Sequence, residues 1–154
     1  MPPAWTAIAC GTGAISALLA AHRPEQAARL HLVTVSAEAA TPIAEDPAVP
    51  SGRIEPHLTP LHYQPERPGL DWYDPRALLR LPVDVDILAI DAPVAPLTAE
   101  AARFSALRLR TRVRLGGLLL LDPALAAVAV ELAADGFWGR LPGTGALIAL
   151  RRPQ

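Results

Sequence analysis

The stretch AWTAIACGTG, residues 4–13, decides the fold of this chain. Its first part is short and apolar, as in a buried strand, and its last part is a turn with glycine at positions 11 and 13. A helix-forming segment follows at residues 14–21, and a β-rich segment follows at residues 30–35. Strand, glycine turn, helix and strand within about 35 residues have the size of a βαβ unit, so we expect parallel strands.

Strands and helices continue to alternate along the rest of the sequence. We expect strands at 54–61, 85–90 and 118–121, helices at 74–79, 98–114 and 124–134, and a hairpin made by 137–141 and 146–150. Pro56 and Pro60 predict that the strand at 54–61 lies at an edge. The sequence therefore predicts an α/β fold: a doubly wound, mostly parallel sheet of about seven strands with an antiparallel C-terminal hairpin and helices on both faces.

Composition narrows the class of protein. The 154 residues predict a single domain, residues 1–154, and a net charge of −1 argues against a nucleic-acid or membrane partner. With Cys10 as the sole cysteine and no lysine, the chain has no internal disulfide, no cysteine-based zinc site and no Walker lysine. The sequence shows neither a signal-peptide pattern nor an apolar run of about 18 residues, so we expect a cytoplasmic protein.

Small and acidic residues stand where the predicted strands end. Ligands of an open parallel sheet bind beyond the carboxyl ends of its strands, at the switch in strand order. The dinucleotide fingerprint needs a third glycine where this chain has Ser16, so NAD is disfavoured. The candidate site residues, in order of the strands that precede them, are Gly11, Thr12 and Gly13, then Ser36 and Glu38, then Asp91, then Asp122.

Residues 7–16 resemble the first motif of the class I S-adenosylmethionine-dependent methyltransferases, acidic-x-Gly-x-Gly-x-Gly. Residues 72–74, 85–93 and 115–122 resemble the segments around the fourth and fifth strands of the same superfamily, so the likeness covers nearly the whole chain in order. The resemblance implies a methyltransferase that uses S-adenosylmethionine and acts on a small-molecule hydroxyl or amine. It implies that Gly11, Thr12, Gly13, Ser36, Glu38 and Asp91 bind the cofactor and that Asp91 is also catalytic.

The sequence also departs from this family's pattern. Ala7 and Ala9 replace the acidic residue and the first glycine of the motif, and Ser36 replaces the acid expected to hold the ribose. The usual N-terminal lid helices are not expected, so a second copy of the chain or another protein would cover the cofactor cleft. The alternative hypothesis is a catalytically inactive protein of the same fold with a structural or partner-binding role.

Other polar residues have weaker patterns. Asp91 and Asp122 fit an Mg²⁺ site of the metal-assisted members, but Pro123 stands where a second acid is expected, which disfavours the metal. Five arginines between 103 and 114 suggest a nucleic-acid patch, although we favour a solvated helix flank. His57 and His62 are expected on opposite sides of one strand. Trp72, Tyr73 and Trp138 could line a pocket, although packing in the core or at a rim is favoured.

Overall fold

Nine strands and three α-helices form the part of the chain that the computed structural model describes, residues 5–11, 28–35, 54–94, 96–142 and 147–154. The strands are β1 (Trp5–Cys10), β2 (Ala28–Thr34), β3 (Ile54–Leu58), β4 (Leu61–Tyr63), β5 (Asp71–Tyr73), β6 (Val85–Ile90), β7 (Val113–Leu121), β8 (Gly139–Arg140) and β9 (Ile148–Arg151). The helices are α1 (Pro75–Leu78), α2 (Ala99–Leu109) and α3 (Ala126–Ala134). Short 3₁₀ turns span Arg110–Arg112 and Pro123–Leu125.

Seven of these strands form one sheet in the order β3-β2-β1-β6-β7-β9-β8. The first five strands in this order pair parallel to their neighbours. In contrast, β9 runs antiparallel to both of its neighbours, β7 and β8. The chain moves outward from β1 to β3 and then returns to the other side of β1 with β6, so the order switches between β1 and β6. This arrangement confirms the predicted α/β sheet and its C-terminal hairpin, and β3 with its Pro56 lies at the edge.

Both faces of the sheet are buried. Because side chains alternate along each central strand, one strand contributes to a core cluster on each face. Ile8 of β1 and Leu88 of β6 belong to the larger core cluster, to which all three described helices contribute. Ala7 and Ala9 of β1 belong to the smaller cluster on the opposite face. The helix expected at residues 14–21 lies outside the described residues. No helix in the described ranges is long and apolar enough to span a membrane.

β7 is longer than the sequence predicts. The predicted helix 98–114 ends as α2 at Leu109, and the strand begins at Val113 rather than at residue 118. Gly116 has φ of 76°, and the register against β6 shifts between Val85 and Ile87, so Gly116 and Gly117 form an irregularity inside the strand. A Cβ on Gly117 would lie 2.5 Å from Cγ1 of Val113. The two glycines therefore bend a strand, whereas the sequence suggested the end of a helix.

The arginines between 103 and 114 do not lie on one helix. Arg103 makes a two-point contact with Glu131 of α3, with nitrogen–oxygen distances of 2.8 and 2.7 Å, and Arg110 lies 3.2 Å from Asp135. Arg114, in β7, donates to Asp86, which also accepts from the backbone amide of Thr6. These side chains hold neighbouring elements together, which differs from the solvated helix flank that we expected.

A small second sheet connects the edge of the main sheet to the helical layer. β4 and β5 pair antiparallel, and His62 lies in β4, so His57 and His62 occupy different strands. Trp72 of β5 donates from its indole nitrogen to the hydroxyl of Ser105 in α2 at 2.7 Å and meets the Phe104 ring edge-on. Asp74 and Thr98 cap α1 and α2 as predicted.

Candidate functional site

The carboxyl ends of β2, β1, β6 and β7 lie next to one another, and their hydrogen-bond ladder continues one residue beyond β1, β6 and β7. The amide of Gly11 donates to the carbonyl of Val33 at 3.3 Å. The amide of Asp91 donates to Cys10 at 3.0 Å, and the amide of Asp122 donates to Ile90 at 3.1 Å. The structure therefore places Gly11, Asp91 and Asp122 in a row at the edge of the sheet where the strand order switches.

Gly11 has a backbone conformation that the turn requires. Its φ is +119°, a region that residues with a side chain rarely adopt. A Cβ at this position would lie 2.8 Å from Cβ of Asp91 and 3.2 Å from its Oδ2. The chain after β1 can therefore pass directly against Asp91 only because residue 11 is glycine.

A narrow cleft opens beside this contact. Its walls come from the end of β1, the end of β6 with the segment that follows it, β5 and α2. Within the described part of the chain, the lining residues are Cys10, Gly11, Tyr73, Ile90, Asp91, Ala92, Pro93, Leu97, Ala102 and Ser105. Among the described residues the cleft combines an apolar surface with a few polar groups in a volume of about 10 Å³, so any larger ligand volume would need the segments on either side of it.

Tyr73 and Cys10 of the cleft are both protonated at neutral pH. Asp91 is 4% exposed and is the carboxylate among the lining residues. Burial, reinforced by the negative charge of Asp91, raises the pKa of Tyr73, so its phenol keeps the proton at neutral pH. Burial and the charge of Asp91 also raise the pKa of Cys10, which remains a neutral thiol and a poor nucleophile.

Asp122 has a local structural role at the same edge. Its Oδ1 accepts a hydrogen bond from the amide of Ala124 at 2.9 Å, which caps the 3₁₀ turn that begins at Pro123. One oxygen of the predicted Mg²⁺ ligand is therefore engaged by backbone. The pairing of Asp91 with Asp122 around Mg²⁺ stays a prediction.

Four of the predicted cofactor-binding residues, Thr12, Gly13, Ser36 and Glu38, lie outside the described residues. The sequence did not indicate Cys10 or Ser105 as site residues, and for Tyr73 it favoured packing in the core or at a rim over a place in a pocket. Cys10 is the last residue of β1, directly before the glycine turn, and this position was the signal available for it. Tyr73 reaches the cleft from the small second sheet, which no local pattern predicts.

The residues that depart from the family's motif lie on the other face of β1. Ala7 and Ala9 are fully buried in the smaller core cluster, against residues such as Leu32 and Ala89. The position of the motif's acidic residue is therefore packed with apolar groups. Of the motif's residues within the described ranges, Gly11 alone matches.

No family model and no curated protein sequence matches this chain. Solved structures do match. A ribosomal protein L11 methylase from Lactobacillus delbrueckii subsp. bulgaricus has a TM-score of 0.59 and 15% identity, over 100% of this chain and 72% of the other. An O-methyltransferase family protein from Burkholderia thailandensis has a TM-score of 0.61 and 16% identity, over 97% of this chain and 51% of the other. The S-adenosylmethionine-dependent methyltransferase SibL has a TM-score of 0.56 and 15% identity, over 97% of this chain and 51% of the other.

These structural matches define the fold of the chain. The chain has the Rossmann-like fold of the class I S-adenosylmethionine-dependent methyltransferases, with the strand order and the antiparallel β9 described above. It spans about half the length of two of these three relatives. TM-scores of 0.59, 0.61 and 0.56 show the shared fold, and at 15–16% identity they show the fold alone, which does not define a reaction.

Proposed function

We propose that this protein binds S-adenosylmethionine at the carboxyl edge of β1 and β6 and transfers its methyl group to a hydroxyl or amine of a small molecule. The observation that carries the proposal is the contact between Gly11 and Asp91. A side chain at residue 11 would collide with Asp91, so the chain keeps a glycine turn and a buried carboxylate together at the switch point of the sheet. Fold neighbours that are methyltransferases support the same reading.

The residues of the cleft fit this cofactor in part. The turn at Gly11 allows a ligand to approach the backbone closely, and Asp91 can accept a hydrogen bond from an ammonium or hydroxyl group. When bound, the cofactor supplies an electrophilic methyl group. Among the described residues at the motif's positions, the acidic residue is replaced by Ala7, so the acidic contact must come from another part of the chain.

The chain's own contribution would be positioning and proton handling. Asp91 would hold the substrate's hydroxyl or amine and accept the proton that this group loses. Tyr73 keeps its proton and can donate a hydrogen bond into the cleft. Cys10 is protonated and buried, so it does not compete with the substrate as a nucleophile.

Calorimetry with S-adenosylmethionine and S-adenosylhomocysteine tests the binding step. We expect saturable binding to the wild type and binding about tenfold weaker in Asp91→Asn, because a hydrogen bond to a charged group contributes roughly 1.5–3 kcal/mol. Asp84→Asn is the matched control, since Asp84 is exposed and its φ of 56° is tolerated by asparagine. No heat from either ligand at millimolar concentration would rule out the proposal.

Turnover is tested separately with a panel of small alcohols, phenols and amines, by mass-spectrometric detection of S-adenosylhomocysteine. We expect a turnover at least about 100-fold lower in Asp91→Asn than in wild type, the size of a general-base contribution. Equal turnover in the two proteins would remove Asp91 from the mechanism.

The second candidate function is a catalytically inactive protein of the same fold that binds a partner. The burial of Ala7 and Ala9 among apolar residues favours it, because this site has no room for the acidic residue of the motif. A stable, folded wild type that binds neither ligand would support this alternative. A second copy or another protein over the cleft stays a prediction, and sedimentation velocity tests it.

A further inference from the structure

Two histidines and a glutamate meet on one face of β2 and β3. Nδ1 of His31 lies 2.9 Å from Nε2 of His57. The carboxylate of Glu55 lies 3.6 Å from His31 Nδ1 through Oε2 and 3.9 Å from His57 Nε2 through Oε1. We refer to these three residues as the histidine–glutamate cluster.

The strand register explains why these residues meet. β2 and β3 are parallel, and His31 stands directly opposite Glu55. His57 follows Glu55 by two residues in an extended strand, so both side chains point to the same face. Residues far apart in sequence are brought together by the pairing of two strands, without any contribution from the carboxyl edge that holds Asp91.

The cluster favours neutral imidazoles. His31 and His57 are 6% and 9% exposed, and burial lowers the pKa of both. The negative charge of Glu55 opposes this shift and raises the pKa of both rings. The positive charge of Arg29 lowers the pKa of His31 further, and that of Arg80 lowers the pKa of His57. A neutral imidazole is the form that binds a metal ion.

We propose that the histidine–glutamate cluster is a Zn²⁺ site, with His31 Nδ1, His57 Nε2 and the Glu55 carboxylate as ligands and water in the remaining position. A tetrahedral ion with ligands at about 2.0–2.1 Å keeps them about 3.3 Å apart. The three distances between the ligand atoms, 2.9, 3.6 and 3.9 Å, lie on both sides of this value. Two nitrogens and one oxygen suit Zn²⁺ better than Mg²⁺ or Ca²⁺, which prefer oxygen ligands.

Metal binding replaces one hydrogen bond. Without an ion, a 2.9 Å contact between two neutral rings requires that one facing nitrogen carries a proton and the other accepts it. Binding moves that proton to the far nitrogen of the same ring, so that both facing lone pairs point to the ion. The ion would then tie the edge strand β3 to β2, and the site is independent of the proposed methyl transfer.

Cobalt and zinc titrations of the chelator-treated, full-length protein test this proposal. Co²⁺ should produce visible ligand-field bands, and Zn²⁺ should displace it and raise the Tm. Glu55→Gln and His57→Gln should each weaken Zn²⁺ binding at least about tenfold, because each removes a ligand. His62→Gln is the matched control, since this histidine is exposed on β4, and it should bind as the wild type does.

Glu55→Gln keeps the test valid if His57→Gln does not fold, because the Glu55 side chain is 56% exposed. The absence of cobalt bands and of a zinc-dependent Tm shift in the wild type would overturn the proposal. Equal zinc affinity in wild type and Glu55→Gln would overturn it as well. Binding of S-adenosylhomocysteine does not enter either result, so failure here is distinguishable from failure of the proposed function.

Discussion

At the scale of single residues, Gly11 should tolerate replacement by alanine poorly. Gly11→Ala combines an unfavourable φ with a collision against Asp91, and we expect a loss of about 2–4 kcal/mol in the free energy of unfolding. Gly136→Ala is the control: φ is +72° there, but no atom lies within 4 Å of the added Cβ, so about 1 kcal/mol should be lost. Equal losses in urea denaturation would show that the Asp91 contact is unimportant.

The two buried histidines make stability depend on pH. Their pKa values are lowered in the folded protein, so as pH falls below about 6.5 the unfolded chain binds protons that the folded chain does not. The free energy of unfolding therefore has its full value above the pKa that these histidines have in the unfolded chain, and it decreases as pH falls toward their lower pKa in the folded protein. We expect the metal-free Tm to decrease between about pH 7 and 5, and to decrease less in His31→Gln, measured by calorimetry against His62→Gln.

At the scale of elements, the irregularity in β7 depends on Gly117. Gly117→Ala would place a Cβ 2.5 Å from Val113 and 2.9 Å from the carbonyl of Asp86, so we expect a loss of about 2–4 kcal/mol. Gly139→Ala in β8 meets nothing closer than 4.0 Å and should change stability by less than about 1 kcal/mol. Urea denaturation of both variants checks this, and a Gly117→Ala variant as stable as wild type would contradict the close packing.

A hydrogen bond fixes the small second sheet to α2. Trp72→Phe removes the donor to Ser105 and keeps most of the ring, so we expect a loss of about 1–2 kcal/mol. Ser105→Ala removes the acceptor, and the double variant should lose clearly less than the sum of the two single variants. Additive losses in denaturant unfolding would show that the two side chains do not act together.

Local patterns predicted the elements that depend on local chemistry. The caps at Asp74 and Thr98 and the apolar strand at residues 85–90 were predicted correctly. The arginine-rich stretch after Leu109 was read as helix because its periodicity is ambiguous, and the strand that follows is stabilised by pairing with β6 and β9.

At the scale of the whole molecule, the mostly parallel sheet and its antiparallel C-terminal hairpin could be predicted from the sequence pattern and the handedness of crossovers. The order of the strands was not predicted, and the candidate site was predicted only in part. Gly11 and Asp91 could be predicted because they end strands of the same parallel sheet. Tyr73 and the histidine–glutamate cluster could not, because strand register and the packing of the second sheet bring them into place.

The two proposed sites should act independently because different parts of the sheet carry them. We expect Asp91→Asn to leave cobalt binding unchanged, and Glu55→Gln to leave the affinity for S-adenosylhomocysteine unchanged, within about 0.5 kcal/mol. Calorimetry of both ligands on both variants measures the coupling. A larger effect across the two sites would show that β2 transmits changes between them.

The position of β9 also has a consequence for biogenesis. It lies between β7 and β8, so β8 and one edge of β7 lack a partner until residues 148–151 have left the ribosome, although the other edge of β7 can already pair with β6. During that interval the leucine-rich β7 has an open hydrogen-bonding edge, which is a template for aggregation. The nascent chain would therefore be expected to depend on chaperones at the moment just before its sheet can close.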